Sequence, residues 1–153
     1  MNLADLIKQP RFASAGQEAV LNVVATESWI AGEIADALEP YGITPAQYNV
    51  LRILRGAQGG CYTCSDIAER LLDRTPDVTR LLDRLQRAHL LTRCRAEHDR
   101  RVVHVSITEK GRELLNRLDA PMEALMARLT RHLSEDEHRT LSALLEKLRT
   151  DQV

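Results

Sequence analysis

The sequence lacks any apolar stretch that could cross a membrane. Its longest candidate, AVLNVVA at residues 19–25, is far shorter than the roughly 20 residues of a spanning helix. The first residues, MNLADLIKQPRF, lack the basic start, the apolar stretch and the small-residue cleavage site of an export signal. We therefore expect a cytoplasmic protein that has no membrane partner.

Cysteine is scarce, and its three copies, Cys61, Cys64 and Cys94, are an odd number that a reducing compartment would keep as thiols. Cys61 and Cys64 are spaced like half of a zinc site or like a redox pair. Zinc needs two further ligands, and Cys94, His98 and His104 offer no recognisable spacing for them. We therefore expect no metal and no cofactor. A thiol-sensing role for Cys61 and Cys64 stays an alternative.

The motifs of common enzyme classes are absent as well. The sequence contains no glycine-rich phosphate loop, no G-x-S-x-G and no H-E-x-x-H, and its five histidines are scattered. It also shows no internal repeat and no low-complexity linker. With 153 residues, of which 44% are apolar and 28% are charged, the chain suits one soluble, mostly helical domain that is not an enzyme.

The charge of the chain is unevenly distributed. The net charge is −1, yet the segment from Arg70 to Arg112 carries 11 basic and 6 acidic residues, a local balance of +5. The rest of the chain carries a balance of −6. A basic segment within an acidic protein is typical of a surface that binds nucleic acid, and the total charge conceals it.

Helix-start signals recur along the chain. TPAQ at 44–47, TCSD at 63–66 and SEDE at 134–137 each place a Ser or Thr three residues before a Gln, Asp or Glu. This spacing is the pattern of a capping box. TPDV at 75–78 offers a Thr cap that is followed by a first-turn proline. We therefore predict that a helix begins at each of these four places.

Two longer helical patterns flank these short helices. Residues 17–38 and 109–132 are mainly apolar at helical spacing, and Pro121 should kink or divide the second pattern. One hairpin is visible, with LLTRC and VVHVSIT as its strands and RAEHDR as its turn. Two short helices followed by a hairpin outline a winged helix-turn-helix. We predict a mainly α fold with a small β-hairpin wing and with N- and C-terminal dimerisation helices.

The C-terminal helices carry more apolar surface than a small winged domain needs. Pairing with a second chain would bury this surface, so we expect a homodimer. A two-fold dimer would set two recognition helices about one turn of DNA apart, roughly 34–36 Å. The leucines concerned are Leu114, Leu118, Leu125, Leu129, Leu141, Leu144 and Leu148.

The segment PDVTRLLDRLQRAH is strongly amphipathic, with apolar residues on one side of the helical wheel and polar residues on the other. Such a helix is typical of major-groove recognition, where arginines contact guanine edges or phosphates. Asp83 should pair with Arg87 or Arg80 and orient it. The predicted DNA contacts here are Thr75, Pro76, Asp77, Thr79, Arg80, Arg84 and Arg87, with Thr63 and Ser65 as cap and phosphate contacts at the start of the preceding helix.

The segment RCRAEHDRRVVHVSIT, residues 93–108, begins with arginines and ends as an alternating strand. The apolar residues of the strand would anchor a wing. Its turn would present Arg100 and Arg101 to a minor groove, whose negative potential attracts arginine. Asp99 would hold the Arg101 guanidinium by a charge-assisted hydrogen bond. A winged helix that docks on a protein without binding DNA is the alternative from another class, but it would not need so many arginines.

Three stretches together resemble the MarR family of bacterial and archaeal transcription regulators: TPAQYNVLRIL, SDIAERLLDRTPDVTRLLDRLQRAHLLTR and DRRVVHVSITEKGRELL. The most specific element is the D-x-R wing motif of Asp99 and Arg101, followed by an alternating strand and the T-x-x-G of Thr108–Gly111. The resemblance runs from about Thr44 to Leu115.

The resemblance implies an obligate homodimer that binds a pseudo-palindromic DNA operator, commonly as a repressor that a small-molecule effector or oxidation releases. It implies dimerisation helices in residues 1–40 and 109–153, and a winged DNA-binding domain in residues 41–108. A ligand pocket would lie between these regions, and Trp29, the only tryptophan, is its candidate residue. The family usually has glycine at the turn after the recognition helix, where this chain has His89.

Overall fold

The computed structural model describes residues 2–9, 11–57, 60–72, 77–95 and 102–150. Over these residues the chain is mainly helical with one small antiparallel sheet, as predicted. Among them, no helix combines the length and the apolar character that a membrane crossing requires. The helices are α1 (Leu3–Leu6), α2 (Ala15–Leu38), α3 (Pro45–Arg55), α4 (Cys64–Arg70), α5 (Val78–Arg87), α6 (Glu109–Thr130) and α7 (Glu135–Leu148). The strands are β1 (Tyr62–Thr63), β2 (Leu91–Arg95) and β3 (Val103–Ile107).

Hydroxyl side chains cap the N-termini of three helices at the positions that the sequence predicts. Thr44, Thr63 and Ser134 each accept a hydrogen bond from the backbone N–H three residues later. The side chain of that third residue accepts one in return from the N–H of the cap residue. Such capping boxes satisfy N–H groups that the start of a helix otherwise leaves without a partner. The capping boxes predicted for α3, α4 and α7 are confirmed.

Helix α5 begins later than predicted. Its N-cap is Asp77, whose carboxylate accepts a hydrogen bond of 3.2 Å from the backbone N–H of Arg80. The prediction that Thr75 caps this helix is therefore wrong. Asp is as good a cap as Thr, and its negative charge interacts favourably with the partial positive charge at the start of a helix. Thr75 and Pro76 themselves lie outside the described residues.

Helix α6 runs without a break through Pro121, so the predicted division of this pattern does not occur. The proline lies on the exposed side of the helix, and Leu118, Met122 and Leu125 are buried. Burying each of these side chains stabilises the helix by about 1.5–3 kcal/mol. Together they outweigh the cost of a proline in a helix interior, which is about 3 kcal/mol.

The sheet has three strands, one more than the predicted hairpin. β2 and β3 form that hairpin, with Leu91 opposite Ile107 and Arg93 opposite Val105. β1 pairs with the other edge of β3, which makes β3 the central strand. The sequence did not predict β1, because two residues are too few to show the alternation of a strand.

One apolar core joins the winged domain to α6 as far as Leu125 and to the end of α2. Helix α3 is its centre, since Val50, Leu51 and Leu54 are almost completely buried. This helix contacts α2, α4, α5, α6 and β3. The other core residues with the least exposure are Leu38, Ile67, Leu82, Leu85, Val105, Leu115 and Leu118.

The turn after α5 is closed by the T-x-x-G segment that begins α6. His89 adopts a left-handed backbone conformation with φ 60°, which glycine adopts more easily. The Thr108 hydroxyl donates a hydrogen bond of 2.8 Å to the His89 carbonyl and accepts one of 3.1 Å from the Gly111 N–H. The Thr108 N–H donates to the Leu90 carbonyl at 3.1 Å. These bonds fix the start of α6 against the end of α5.

Helices α2 and α7 leave apolar side chains exposed outside this core. Val20 and Val24 are exposed on α2, and Leu141, Leu144 and Leu148 are exposed on α7. Helix α7 has no buried residue, although its leucines recur at helical spacing. Its apolar face is therefore open to solvent in the single chain. The prediction that Leu114, Leu118 and Leu125 need a second chain for their burial is wrong, because the core of the same chain already buries them.

Gly111 has no room for a side chain, because a Cβ atom there would lie 2.3 Å from the Leu90 carbonyl oxygen and 2.7 Å from Cγ1 of Ile107. We expect Gly111→Ala to lower the free energy of unfolding by about 1–3 kcal/mol, since overpacking forces the backbone apart. Urea unfolding followed by circular dichroism measures this loss. In Gly16→Ala, the control, the nearest atom lies at 3.7 Å and we expect no loss. A Gly111→Ala variant as stable as the wild type would contradict the prediction.

Candidate nucleic-acid interface

Helix α5 buries its apolar side and exposes its polar side, as the sequence predicts. Leu82 and Leu85 are buried in the core. On the other side, Arg80, Arg84 and Arg87 are exposed, and Thr79 is exposed beside them. Three guanidiniums therefore lie on the exposed face of one short helix. This is an arrangement that can contact the phosphates and base edges of DNA.

Asp77 caps α5 and also orients one of its arginines. Oδ2 of Asp77 lies 3.2 Å from Nε of Arg80. The Arg80 side chain is nevertheless 81% exposed, so its terminal nitrogens stay accessible. An exposed ion pair of this kind contributes at most about 1 kcal/mol of stability. Its main effect is on the direction in which the guanidinium points.

Asp83 pairs with the wing and not with its own helix. Nη1 of Arg93, on β2, donates a hydrogen bond of 2.6 Å to Oδ1 of Asp83. Nη2 of Arg93 donates to the Thr79 carbonyl at 3.4 Å. The prediction that Asp83 pairs with Arg80 or Arg87 is wrong, because β2 packs against α5 and brings its own cation to the carboxylate.

The base of the wing lies where the sequence predicts it. Val105 and Ile107 are buried, so alternate residues of β3 anchor the hairpin to the core. The tip of the wing lies outside the described residues. The predicted D-x-R contact between Asp99 and Arg101, and the role of Arg100, therefore stay predictions.

The hydroxyl group of Thr63 caps the start of α4. Oγ1 of Thr63 donates a hydrogen bond of 2.7 Å to Oδ2 of Asp66 and accepts one of 3.2 Å from the Asp66 N–H. The bonds that Thr63 donates, the side-chain bond first and the backbone bond second, hold the pKa of Asp66 below its ordinary value. The capping role of Thr63 is confirmed. Contacts of Thr63 and of the exposed Ser65 with phosphate stay predictions.

All three cysteines are free thiols. Cys61 is half-buried before β1, Cys64 is the exposed first residue of α4, and Cys94 is exposed on β2 opposite His104. In the part of the chain that the structure describes, no three His, Cys, Asp or Glu side chains are grouped to hold a metal ion. Thiol sensing by Cys61 and Cys64 stays a prediction.

A groove of about 740 Å³ opens between the winged domain and its flanking helices. Residues of α2, α3 and α6 line it, together with Leu71 and Leu72, which directly follow α4. Much of its wall is apolar and includes Tyr48, Met122 and Met126. The sequence did not predict these residues as a site, because they come from segments that are far apart in the chain.

Trp29 does not line this groove. It is half-exposed on α2, and its indole N–H donates a hydrogen bond of 3.2 Å to Oε1 of Glu33. The structure therefore does not bring Trp29 to the cavity in which the sequence placed it. The reason is that Ile34, and not Trp29, is the residue of α2 on the side that faces the groove.

Two arginines of α3 line the groove together with two carboxylates of α6, those of Asp119 and Glu123. Arg55 donates two hydrogen bonds, of 2.8 and 2.9 Å, to the carboxylate of Asp119 on α6. These bonds lower the pKa of Asp119 and raise the pKa of Arg55. Arg52 lies over the Tyr48 ring, 5.9 Å from its centre, and forms no ion pair with a described residue. The charge of Arg52 also helps to lower the pKa of Asp119, but among the described residues only Arg55 is held by an ion pair with that carboxylate.

Comparisons with known proteins agree with this geometry. The profile of the MarR family matches residues 41–102. The chain is 34% identical over 128 residues to the transcriptional repressor MdtR of Bacillus subtilis, an alignment that covers 84% of this chain and 81% of the relative. Relatives of this kind are transcription regulators and not enzymes.

Solved structures show the same similarity. A MarR transcription factor from Planctomyces limnophilus is 35% identical with a TM-score of 0.69, and the match covers 89% of this chain and 98% of that one. A mutant of MarR from E. coli, complexed with operator DNA, is 29% identical with a TM-score of 0.74. That match covers 82% of this chain and 89% of the other.

Proposed function

Because this chain belongs to the MarR family of winged helix-turn-helix transcription regulators, we propose that it is a cytoplasmic homodimeric repressor. It would bind a pseudo-palindromic operator and leave it when a small molecule binds. The observation that carries the proposal is the exposed face of α5, where three arginines lie opposite a buried apolar face. The operator DNA bound to the E. coli relative and the repressor name of the B. subtilis relative support it.

In this proposal α5 enters the major groove of the operator. Thr79 and Arg80 lie in its first turn and would be nearest the bases. Arg84 and Arg87 lie one and two turns farther along and would contact phosphates or guanine edges. The wing tip, with its D-x-R segment, would reach the adjacent minor groove.

Selection of bound DNA from a random pool tests the proposal. We expect an inverted repeat whose half-site centres are about one helical turn apart, roughly 34–36 Å. This spacing would follow from the two-fold symmetry of a dimer that presents two copies of α5. Failure of the wild-type protein to enrich any sequence would contradict sequence-specific DNA binding.

Replacing Arg80 tests the contact of α5 with the bases. We expect Arg80→Ala to weaken operator binding by about 1–3 kcal/mol and to relax the preference at one base pair per half-site. Fluorescence anisotropy at fixed salt concentration measures the affinity. Arg139→Ala is the matched control, since Arg139 is an exposed arginine of α7 paired with Glu135. Equal operator affinities of these two variants would argue against the base contact.

Dimerisation is proposed from the exposed apolar faces of α2 and α7. The leucines of α7 lie on one side of the helix and are exposed, and exposed valines recur on α2. Burying apolar surface is favourable by about 25 cal/mol per Å², so a second copy of the chain would stabilise these faces. In this proposal the dimerisation regions are residues 1–40 and 109–153, and the DNA-binding domain is residues 41–108.

A charge on the apolar face of α7 should separate the two chains. We expect Leu144→Glu to shift the protein toward monomer at micromolar concentration, because the dimer would bury an unpaired carboxylate. Sedimentation velocity measures the oligomeric state. Ala143→Glu is the control, because Ala143 lies on the side of α7 away from the leucines. A wild-type chain that sediments as a monomer would contradict the dimer.

The groove beside α3 is proposed as the effector site. Its apolar wall and the guanidinium of Arg52, which forms no ion pair with a described residue, favour a flat apolar molecule that carries one negative charge. Leu71 and Leu72 belong to this wall and directly precede the segment that leads to α5. A ligand that binds better when Leu71 and Leu72 have moved relative to α5 would shift the protein away from its DNA-binding conformation.

Naphthoate and naphthol differ in charge but have similar shapes, and they test the effector site. We expect naphthoate to release operator DNA at lower concentration than naphthol. Arg52→Gln should raise the naphthoate concentration needed for half release by about tenfold, because a charge-assisted hydrogen bond is lost. Arg131→Gln is the control, since Arg131 is exposed in the turn after α6. Equal release by both compounds would contradict the role of Arg52.

A further inference from the structure

A helix and a wing that bind the same DNA must keep a fixed distance and angle, because the two grooves that they enter are fixed relative to each other. In this chain α5 and β2 follow each other through the turn at His89. That turn attaches one end of the helix to one end of the strand. The hairpin is also anchored to the core by Val105 and Ile107 of β3, on the buried side of the sheet.

Arg93 adds a polar attachment, in the middle of both elements. Its backbone lies on β2 opposite Val105 of the central strand. Its guanidinium reaches α5, where it donates to the Asp83 carboxylate at 2.6 Å and to the Thr79 carbonyl at 3.4 Å. Since Asp83 and Thr79 are four residues apart, the contact spans one full turn of the helix.

The surroundings of Arg93 do not suit a phosphate contact. Its side chain is only 22% exposed, compared with 81% for Arg80. Both of its terminal nitrogens already donate within the protein, and the Asp83 carboxylate compensates its charge. Asp83 on its own would repel phosphate from a basic face, so its presence there needs a reason. Holding Arg93 supplies that reason.

We propose that Asp83 and Arg93 are positioning residues, which hold the wing against α5 for the binding of operator DNA. This inference rests on the DNA-binding function proposed above. Neither side chain contacts DNA, and the pair acts through the arginines of α5 and of the wing. A partly exposed ion pair adds little to stability, so its loss changes operator recognition more than it changes unfolding.

Asp83→Asn is a test in which two explanations of the role of Asp83 predict opposite changes in operator affinity. One explanation considers only its charge, and the other considers its positioning role. By charge alone, removing a carboxylate from a DNA-facing surface strengthens binding to any duplex. Positioning predicts about tenfold weaker binding to the selected operator, with binding to an unrelated duplex unchanged or tighter. Glu69→Gln is the matched control, because Glu69 is an exposed carboxylate of α4. We expect this control to bind the operator at least as tightly as the wild type.

Arg93→Gln and the double variant test whether the two residues act as one contact. We expect Arg93→Gln to lose operator preference to the same extent as Asp83→Asn. The double variant Asp83→Asn/Arg93→Gln should lose no more operator preference than the single variant that loses more. The reason is that the effects of two substitutions in one shared contact are not additive. Arg93→Lys keeps the charge and part of the reach, and should retain more operator preference than Arg93→Gln.

Two results would overturn the proposal. One is operator binding by Asp83→Asn as tight as that by Glu69→Gln, and the other is a strictly additive loss in the double variant. Thermal unfolding and the affinity for the unrelated duplex show whether each variant keeps its fold. If Arg93→Gln does not fold, Arg93→Lys takes its place in the test. Failure of the proposed function would look different, because the wild-type protein itself would show no operator preference.

Discussion

Every proposed contact of α5 with DNA depends on the rotation of this helix about its own axis. Burial of Leu82 and Leu85 in the core sets this rotation. Each buried leucine contributes about 1.5–3 kcal/mol, so turning the helix to hide its arginines would expose two apolar side chains at considerable cost. The guanidiniums of α5 therefore face solvent as a consequence of apolar packing, and they are available before any ligand arrives.

Three different interactions hold α5 in its place. The Asp77 carboxylate caps its start, and the hydrogen bonds of Thr108 fix its end against the first turn of α6. Between them, Arg93 joins the middle of the helix to the wing through Asp83. Because these attachments reach the wing and α6, a displacement of α6 would also move α5. The exposed arginine face of α5 and helix α6 are thus mechanically connected.

The contacts around the groove are weaker than those of the core. Arg55 binds Asp119 between α3 and α6, and Arg128 binds Glu33 between α6 and α2. Both ion pairs are partly exposed, and solvent screening makes such pairs weak. A ligand shifts a conformational equilibrium only by the difference between its affinities for the two conformations. Because these ion pairs are weak, a modest difference in affinity would be enough to break them, which makes the rim of the groove a suitable place for an effector to act.

The sequence by itself determined what depends on neighbouring residues. Capping boxes and apolar periodicity involve residues three or four positions apart, so α3, α4, α7, the hairpin and the two sides of α5 were all predictable. Packing between distant segments decided the rest: the strand β1, the continuity of α6 at Pro121, and the groove. It also decided the partner of Asp83, since Arg93 is ten residues away and outside the reach of helical spacing. Local sequence thus specified which charges lie on each surface, whereas the tertiary structure decided which of them the protein pairs internally and which remain for DNA.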